Sequence, residues 1–133
     1  MNTICGSMFL DGVKYPVQPG KNTFAGGLVA ELEYRRVTPR AEFVLLRLKN
    51  EGAEDSARIT RVRSLDVTLP VEGAVHYHSL QGDDCGATSF MPVNFDLTEN
   101  YTEQPAGGRS SNTTGFPYFD LSWQGGAVAF GIG

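Results

Sequence analysis

Phe9-Leu10-Asp11-Gly12-Val13-Lys14-Tyr15-Pro16-Val17 decides how this chain is to be read. Two short runs rich in β-branched and aromatic residues flank Asp-Gly. That dipeptide supplies the positive φ angles of a two-residue type I′ turn, whose twist matches that of paired strands. The stretch therefore predicts a tight hairpin, which Pro19-Gly20 ends.

The same grammar repeats along the chain. Residues 28–37 alternate loosely, with Leu28, Ala30 and Leu32 on one face and Glu31 and Glu33 on the other, before Thr38-Pro39. Residues 42–49 read as a second strand, with Phe43, Leu45 and either Leu46 or Leu48 inward and Arg47 and Lys49 outward. Residues 50–55 are polar and predict a loop. Residues 59–69 give the clearest strand pattern, closed by Pro70. Its alternation slips by one between Val62 and Leu65, which predicts a bulge. Residues 75–80 form another short strand. Residues 115–123 and 127–132 flank Gln124-Gly125-Gly126, a second hairpin signal. No segment sustains a 3.6-residue period, so seven to nine strands with little or no helix are expected. The Gly-, Asp-, Asn-, Ser- and Pro-rich stretch 81–114 carries few strand signals. A loop that long is expected to serve a function or to pack against something.

Composition agrees with this all-β expectation. The 133 residues suit a single domain, able to bury roughly 65–70 % of its unfolded surface. Sixteen glycines and an 11 % aromatic fraction favour short strands joined by turns. A net charge of −4 with no basic stripe gives nucleic-acid binding no electrostatic support. No apolar run approaches the ~20 residues of a membrane-spanning helix. Residues 1–10 have neither a basic nor an apolar leader region, so a cytoplasmic protein is expected, or a secreted one if a leader has been removed. In a cytoplasmic setting Cys5 and Cys85 are expected as two reduced thiols, although a disulfide closing so long a loop would add ~4–5 kcal/mol. Two Asn-x-Thr sequons, at Asn100 and Asn112, matter only in a eukaryotic secretory setting.

Chemistry-bearing patterns are sparse. His76 and His78 lie two apart on a strand and so share a face. With Asp83, Asp84 and Cys85 they offer five potential metal ligands in a short span, without the spaced third ligand of a structural zinc site. Paired carboxylates of the glycosidase kind cannot be placed from sequence: Asp83 and Asp84 are adjacent, and Asp120 is expected to face solvent. No Gly-x-Ser-x-Gly elbow occurs, and Gly131-Ile132-Gly133 lacks the helix that a dinucleotide fingerprint needs. Trp123 could stack on a sugar face or serve as core. No cofactor is expected.

The most specific pattern is an order of motifs. His76-Tyr77-His78 is followed by Gly82-Asp83-Asp84-Cys85 and Phe90-Met91-Pro92-Val93. Then come Gly107-Gly108-Arg109-Ser110-Ser111-Asn112, Gly115-Phe116-Pro117-Tyr118-Phe119-Asp120-Leu121, and Gly125-Gly126 leading into Ala127-Val128-Ala129-Phe130-Gly131-Ile132-Gly133. This order resembles the N-terminal β-domain of α-galactosidase-type enzymes of glycoside hydrolase family 36. There a Trp-x-Gly-Gln-Trp segment and a catalytic barrel follow. The Gly82-Asp83-Asp84-Cys85 segment lacks the second acidic pair often seen before the Phe-x-Pro element, and residues 1–75 carry no such motif.

The resemblance implies an antiparallel β-supersandwich of the galactose-mutarotase-like kind. It implies a single domain over residues 1–133, cut short before the barrel, with no catalytic residue of its own. The implied partners are the barrel of the parent chain, further copies in a homo-oligomer, and carbohydrate at the active-site rim. Asp83, Asp84, Arg109, Ser110 and Trp123 are the candidate interface or sugar contacts. Read physically, Gly107 and Gly108 allow a tight turn, the Arg109 guanidinium is a fixed fork of donors suited to carbonyls or carboxylates, and Ser110 and Ser111 can satisfy turn backbone. Phe116, Tyr118 and Phe119 read equally as core or as a docking surface. The other reading is a free-standing carbohydrate-binding or structural module.

Overall fold

A computed structural model describes residues 4–83, 85–103 and 115–133. Among them the chain is all-β, with ten strands in three antiparallel sheets and one single-turn 3₁₀ segment at Ala25–Gly27. It divides into two compact units, Met1–Leu69 and Pro70–Gly133.

The first unit is sandwich-like. Strands β1 (Gly6–Leu10), β2 (Val13–Val17) and β6 (Ile59–Arg63) form one sheet, with β1 central. Strands β3 (Gly20–Thr23), β4 (Leu28–Thr38) and β5 (Ala41–Asn50) form the other, with β4 central. Asp11 and Gly12 have φ of 46° and 85°, and β1 and β2 pair directly across them from Leu10–Val13 to Gly6–Val17. The expected turn is therefore present, and positive φ at both of its residues is what Asp-Gly tolerates. Met8 and Val17 from one sheet and Leu28, Ala30 and Leu32 from the other make the buried core. Leu10, Phe24, Val44, Leu46 and Ile59 pack around it.

The ten strands among the described residues exceed the seven to nine expected, and several details of the expected strands need correction. On β5 the inward residues are Leu46, one of the two alternatives expected, and Val44, because the register sets them opposite Leu32 and Tyr34 on the core face, whereas Leu45, expected inward, lies opposite Glu33. Phe43, expected inward, lies opposite Arg35 and takes that guanidinium over its ring at 5.3 Å. Strand β3 was not anticipated: Gly20-Lys21-Asn22-Thr23 has no apolar alternation, and its pairing comes from β4. Its Asn22 carboxamide also accepts from Gln18 N–H and donates to the Gln18 carbonyl.

Strand β6 stops at Arg63 instead of running to residue 69. The register slips where Ser7 pairs with Arg63 but Phe9 pairs with Thr60, leaving Arg61 and Val62 as the bulge, with Arg61 at φ 47°. The slip thus occurs, slightly earlier than the sequence places it. Beyond it the chain is held by Asp66. Its N–H donates to the Cys5 carbonyl, and its carboxylate takes Ser7 Oγ at 2.6 Å and Lys14 Nζ at 2.7 Å. Those donors hold the Asp66 pKa below the ordinary carboxylate range. Cys5 and Cys85 are free thiols.

The second unit is a four-stranded sheet in the order β10-β9-β7-β8. Strands β7 (His76–Leu80) and β8 (Pro92–Asp96) form a hairpin. It is closed by Gln81 N–H to the Met91 carbonyl at one end and Leu97 N–H to the Val75 carbonyl at the other. Strand β8 lies inside the stretch read as loop. Strands β9 (Tyr118–Trp123) and β10 (Gly126–Gly131) pair from Gly126–Trp123 outward, with Gly125 at φ 90° in the turn. The expected second hairpin is thus present, and β9 begins only after Pro117, which has no N–H to give the ladder.

Candidate functional site

Strand alternation gives the four-stranded sheet two unlike faces. One carries Asn94 and Asp96 from β8, His76 and His78 from β7, Asp120 and Ser122 from β9, and Ala127 and Ala129 from β10. The other carries Phe95, Tyr77, Phe119 and Phe130, one from each strand. Their rings form a row: Tyr77 lies 4.9 Å from Phe95 and 5.7 Å from Phe119, and Phe119 lies 4.9 Å from Phe130, all with small interplanar angles. Such ring pairs add ~0.5–1.5 kcal/mol each beyond their area burial.

The polar face brings the two histidines together, as their spacing predicts, with ring centroids 6.5 Å apart. His76 Nδ1 pairs with the Asp96 carboxylate. His78 Nδ1 meets Asn94 Oδ1 at 2.9 Å, and its Nε2 meets Ser122 Oγ at 3.3 Å. The imidazoles are therefore fixed by cross-strand partners. No group of three metal-ligating side chains suited to a cation occurs among the described residues.

On the aromatic face a cavity of about 580 Å³ opens beside the ring row. Tyr77, Phe119 and Leu121 from the sheet, Leu97 and Tyr101 from the segment after β8, and Phe116 and Ile132 supply apolar walls. Glu99, Asn100 and Glu103 are its polar members. Tyr77 is 4 % exposed, and its hydroxyl donates to Glu103 Oε2 at 2.6 Å. The Tyr101 hydroxyl reaches the same oxygen at 3.4 Å. Burial first, and then the Glu103 carboxylate, push the Tyr77 phenol well above its ordinary pKa; the same two causes raise Tyr101. Both phenols are thus held as neutral donors.

A second feature lies at the end of the β7–β8 hairpin. Phe90, Phe116 and Tyr118 follow one another at ring separations of 6.0 Å each. Phe90 is 48 % and Tyr118 63 % exposed, with Met91 alongside at 51 %. Phe90, Met91 and Tyr118, bridged by the half-buried ring of Phe116, form an exposed apolar patch of the kind that marks contact surfaces. Strand alternation has separated the aromatic cluster: Phe119 joins the ring row, and Tyr118 points the other way.

Asp83 sits in the turn beside this patch and is exposed. Its Oδ1 accepts from Cys85 N–H at 2.9 Å and from Ser89 Oγ at 3.0 Å, so it shapes its own loop. Cys85 and Phe90 both take positive φ, 57° and 59°, within that loop. Trp123 ends β9 half-buried, its ring so close over Gly126 that a Cβ there would meet Trp123 Cζ2 at 2.9 Å. Trp123 is not among the cavity walls. Asp84, Arg109 and Ser110 lie outside the described residues, as does the second sequon at Asn112. The first sequon residue, Asn100, lines the cavity. Sequence reading did not single out Tyr101 or Glu103. The available signal was an aromatic and an acidic residue close behind an alternating Val93–Phe95 run.

No protein-family model, no curated protein and no solved structure matches this chain.

Proposed function

We propose that this chain is a non-catalytic β-domain of an α-galactosidase-type glycoside hydrolase. In this reading it packs on a catalytic barrel and contributes to the active-site rim or to contacts between copies of the enzyme. The parent reaction is hydrolysis of terminal α-galactosyl linkages by a retaining pair of carboxylates, which belongs to the barrel. The motif order from His76 to Gly133 carries the family part of the reading. The observation that supports a docking role is the exposed patch of Phe90, Met91 and Tyr118, bridged by the half-buried Phe116 ring. Rings of this size are costly to leave hydrated, by roughly 25 cal/mol for each Å² of apolar surface, and a covering partner removes that cost.

Two readouts test the proposal. The purified chain is expected to leave an aryl α-galactoside unhydrolysed above buffer, whereas turnover by the chain alone overturns it. The exposed patch is also expected to bind an apolar dye, and Phe90→Ser with Tyr118→Ser is expected to lower that fluorescence severalfold at unchanged thermal midpoint. Fluorescence indifferent to both substitutions removes the docking surface.

A further inference from the structure

We infer that strand β5 is a self-association edge: two copies of this chain pair β5 antiparallel across a two-fold axis and join their β3-β4-β5 sheets into one. The inference rests on this strand alone, not on membership in a glycosidase and not on the Phe90 patch.

Six strands are sheet edges among the described residues, and β5 is the one without a guard. An edge strand presents a row of N–H and C=O groups to any passing strand. Proteins blunt such edges by shortness, proline or a bulge. Strand β3 has four residues, β2 contains Pro16 and β8 opens on Pro92. Strand β6 carries the bulge at Arg61, and β10 has glycine at both ends. Strand β5 runs for ten residues without proline or glycine, and its ladder with β4 is unbroken from Asn50 to Glu42.

The ladder also decides which groups face the edge. Glu51 N–H donates to the Gly27 carbonyl, directly across in the register that sets Asn50 opposite Leu28. Hydrogen-bonded pairs recur at every second residue of an antiparallel ladder. Lys49, Arg47, Leu45 and Phe43 therefore bond to β4, and the N–H and C=O groups of Leu48, Leu46 and Val44 turn to the open edge. The cationic side chains do not guard it. Arg47 and Lys49 stand on the outer face, neutralised within the chain by Glu33 at 2.9 Å and Glu51 at 3.1 Å.

The strand is complementary to itself. With Leu46 on the two-fold axis, Val44 lies opposite Leu48 of the second copy on the core face. On the outer face Phe43 meets Lys49 of that copy and Leu45 meets Arg47, apolar groups against cationic side chains with long apolar stems. No like charges meet. Moving the axis on to Arg47 would set two guanidiniums against each other, and moving it back to Leu45 would set the Glu42 carboxylate against Leu48. Leu48 and Phe43, 36 % and 37 % exposed, are the apolar surface that this pairing covers.

Sedimentation equilibrium and amide hydrogen exchange on the full chain test the pairing. One strand pair is a small interface, so dimerisation with a dissociation constant of about 100 μM is expected. The Leu45 and Arg47 amides should be protected at every concentration. Those of Val44, Leu46 and Leu48 should exchange severalfold more slowly at millimolar than at micromolar chain. Leu48→Pro removes an N–H that β4 does not use, and Leu48→Lys places a charge opposite Val44. Each is expected to weaken the dimer about tenfold or more, and Leu48→Lys carries the test if the proline variant fails to fold. A monomer at millimolar concentration overturns the inference. So does a dimer whose Val44, Leu46 and Leu48 exchange is independent of concentration, or one that Leu48→Lys leaves intact. Loss of the dimer in Phe90→Ser with Tyr118→Ser also overturns it, because the contact then lies at the other patch. Each of these results leaves the enzyme-domain reading standing, since that reading is decided by what the gene encodes after Gly133.

Discussion

Replacing Leu32 by Ala tests the packing account most sharply. Leu32 is 1 % exposed in the centre of β4, among Met8, Val17, Leu28 and Ala30 and opposite Leu46. The substitution removes three carbons, each worth about 0.8 kcal/mol of transfer free energy, and leaves a void between the two sheets. Partial collapse of that void brings the expected loss to ~3–4 kcal/mol, within the range measured for buried leucines. Phe43→Ala removes more atoms but from the outer face of β5, where the ring is 37 % exposed and its distinctive contact is Arg35. Its expected cost is ~1 kcal/mol. Urea unfolding of both variants, followed by circular dichroism, reads the difference. Equal losses, or a larger one for Phe43→Ala, would refute the assignment of Val44, Leu46 and Leu32 to the core face.

Asp66, its pKa lowered by Lys14 and Ser7, contributes stability above the ordinary aspartate pKa of about 3.9, and that contribution is lost as pH falls through its folded value. Asp66→Asn should therefore lose stability near neutrality and show a shallower acid decline below about pH 4 in urea midpoints; an unchanged acid limb would contradict this. Gly27 and Gly52 touch backbone to backbone, and a Cβ on Gly52 would lie 2.2 Å from the Gly26 carbonyl oxygen. Gly52→Ala is expected to cost ~2 kcal/mol or more, against ~1 for Gly12→Ala, whose Cβ meets nothing and whose only strain is its φ of 85°, as compared by thermal melts.

The hairpins were legible because Asp11-Gly12 and Gln124-Gly125-Gly126 carry their own backbone preferences. The core face of β4 was legible because Leu28, Ala30 and Leu32 alternate with acids. Strand β5 misled because Phe43-Val44-Leu45-Leu46 is apolar on both sides, so local pattern cannot choose a face. Only pairing with β4 does that. Strand β3 has no pattern of its own and exists through its partner. Strand β8 did carry a signal, Val93 and Phe95 against Asn94 and Asp96, but it is short and set among turn-forming residues. The cavity was illegible for a different reason. Tyr77, Tyr101, Glu103 and Phe116 come from separated segments, and only the sheet order brings them together.

The central proposal is that the chain is a domain of a larger α-galactosidase-type enzyme. Sequencing the gene beyond the codon for Gly133 tests it most directly. The account predicts an open frame running into Trp-x-Gly-Gln-Trp and then a barrel with two catalytic aspartates; a stop codon directly after Gly133 would contradict it.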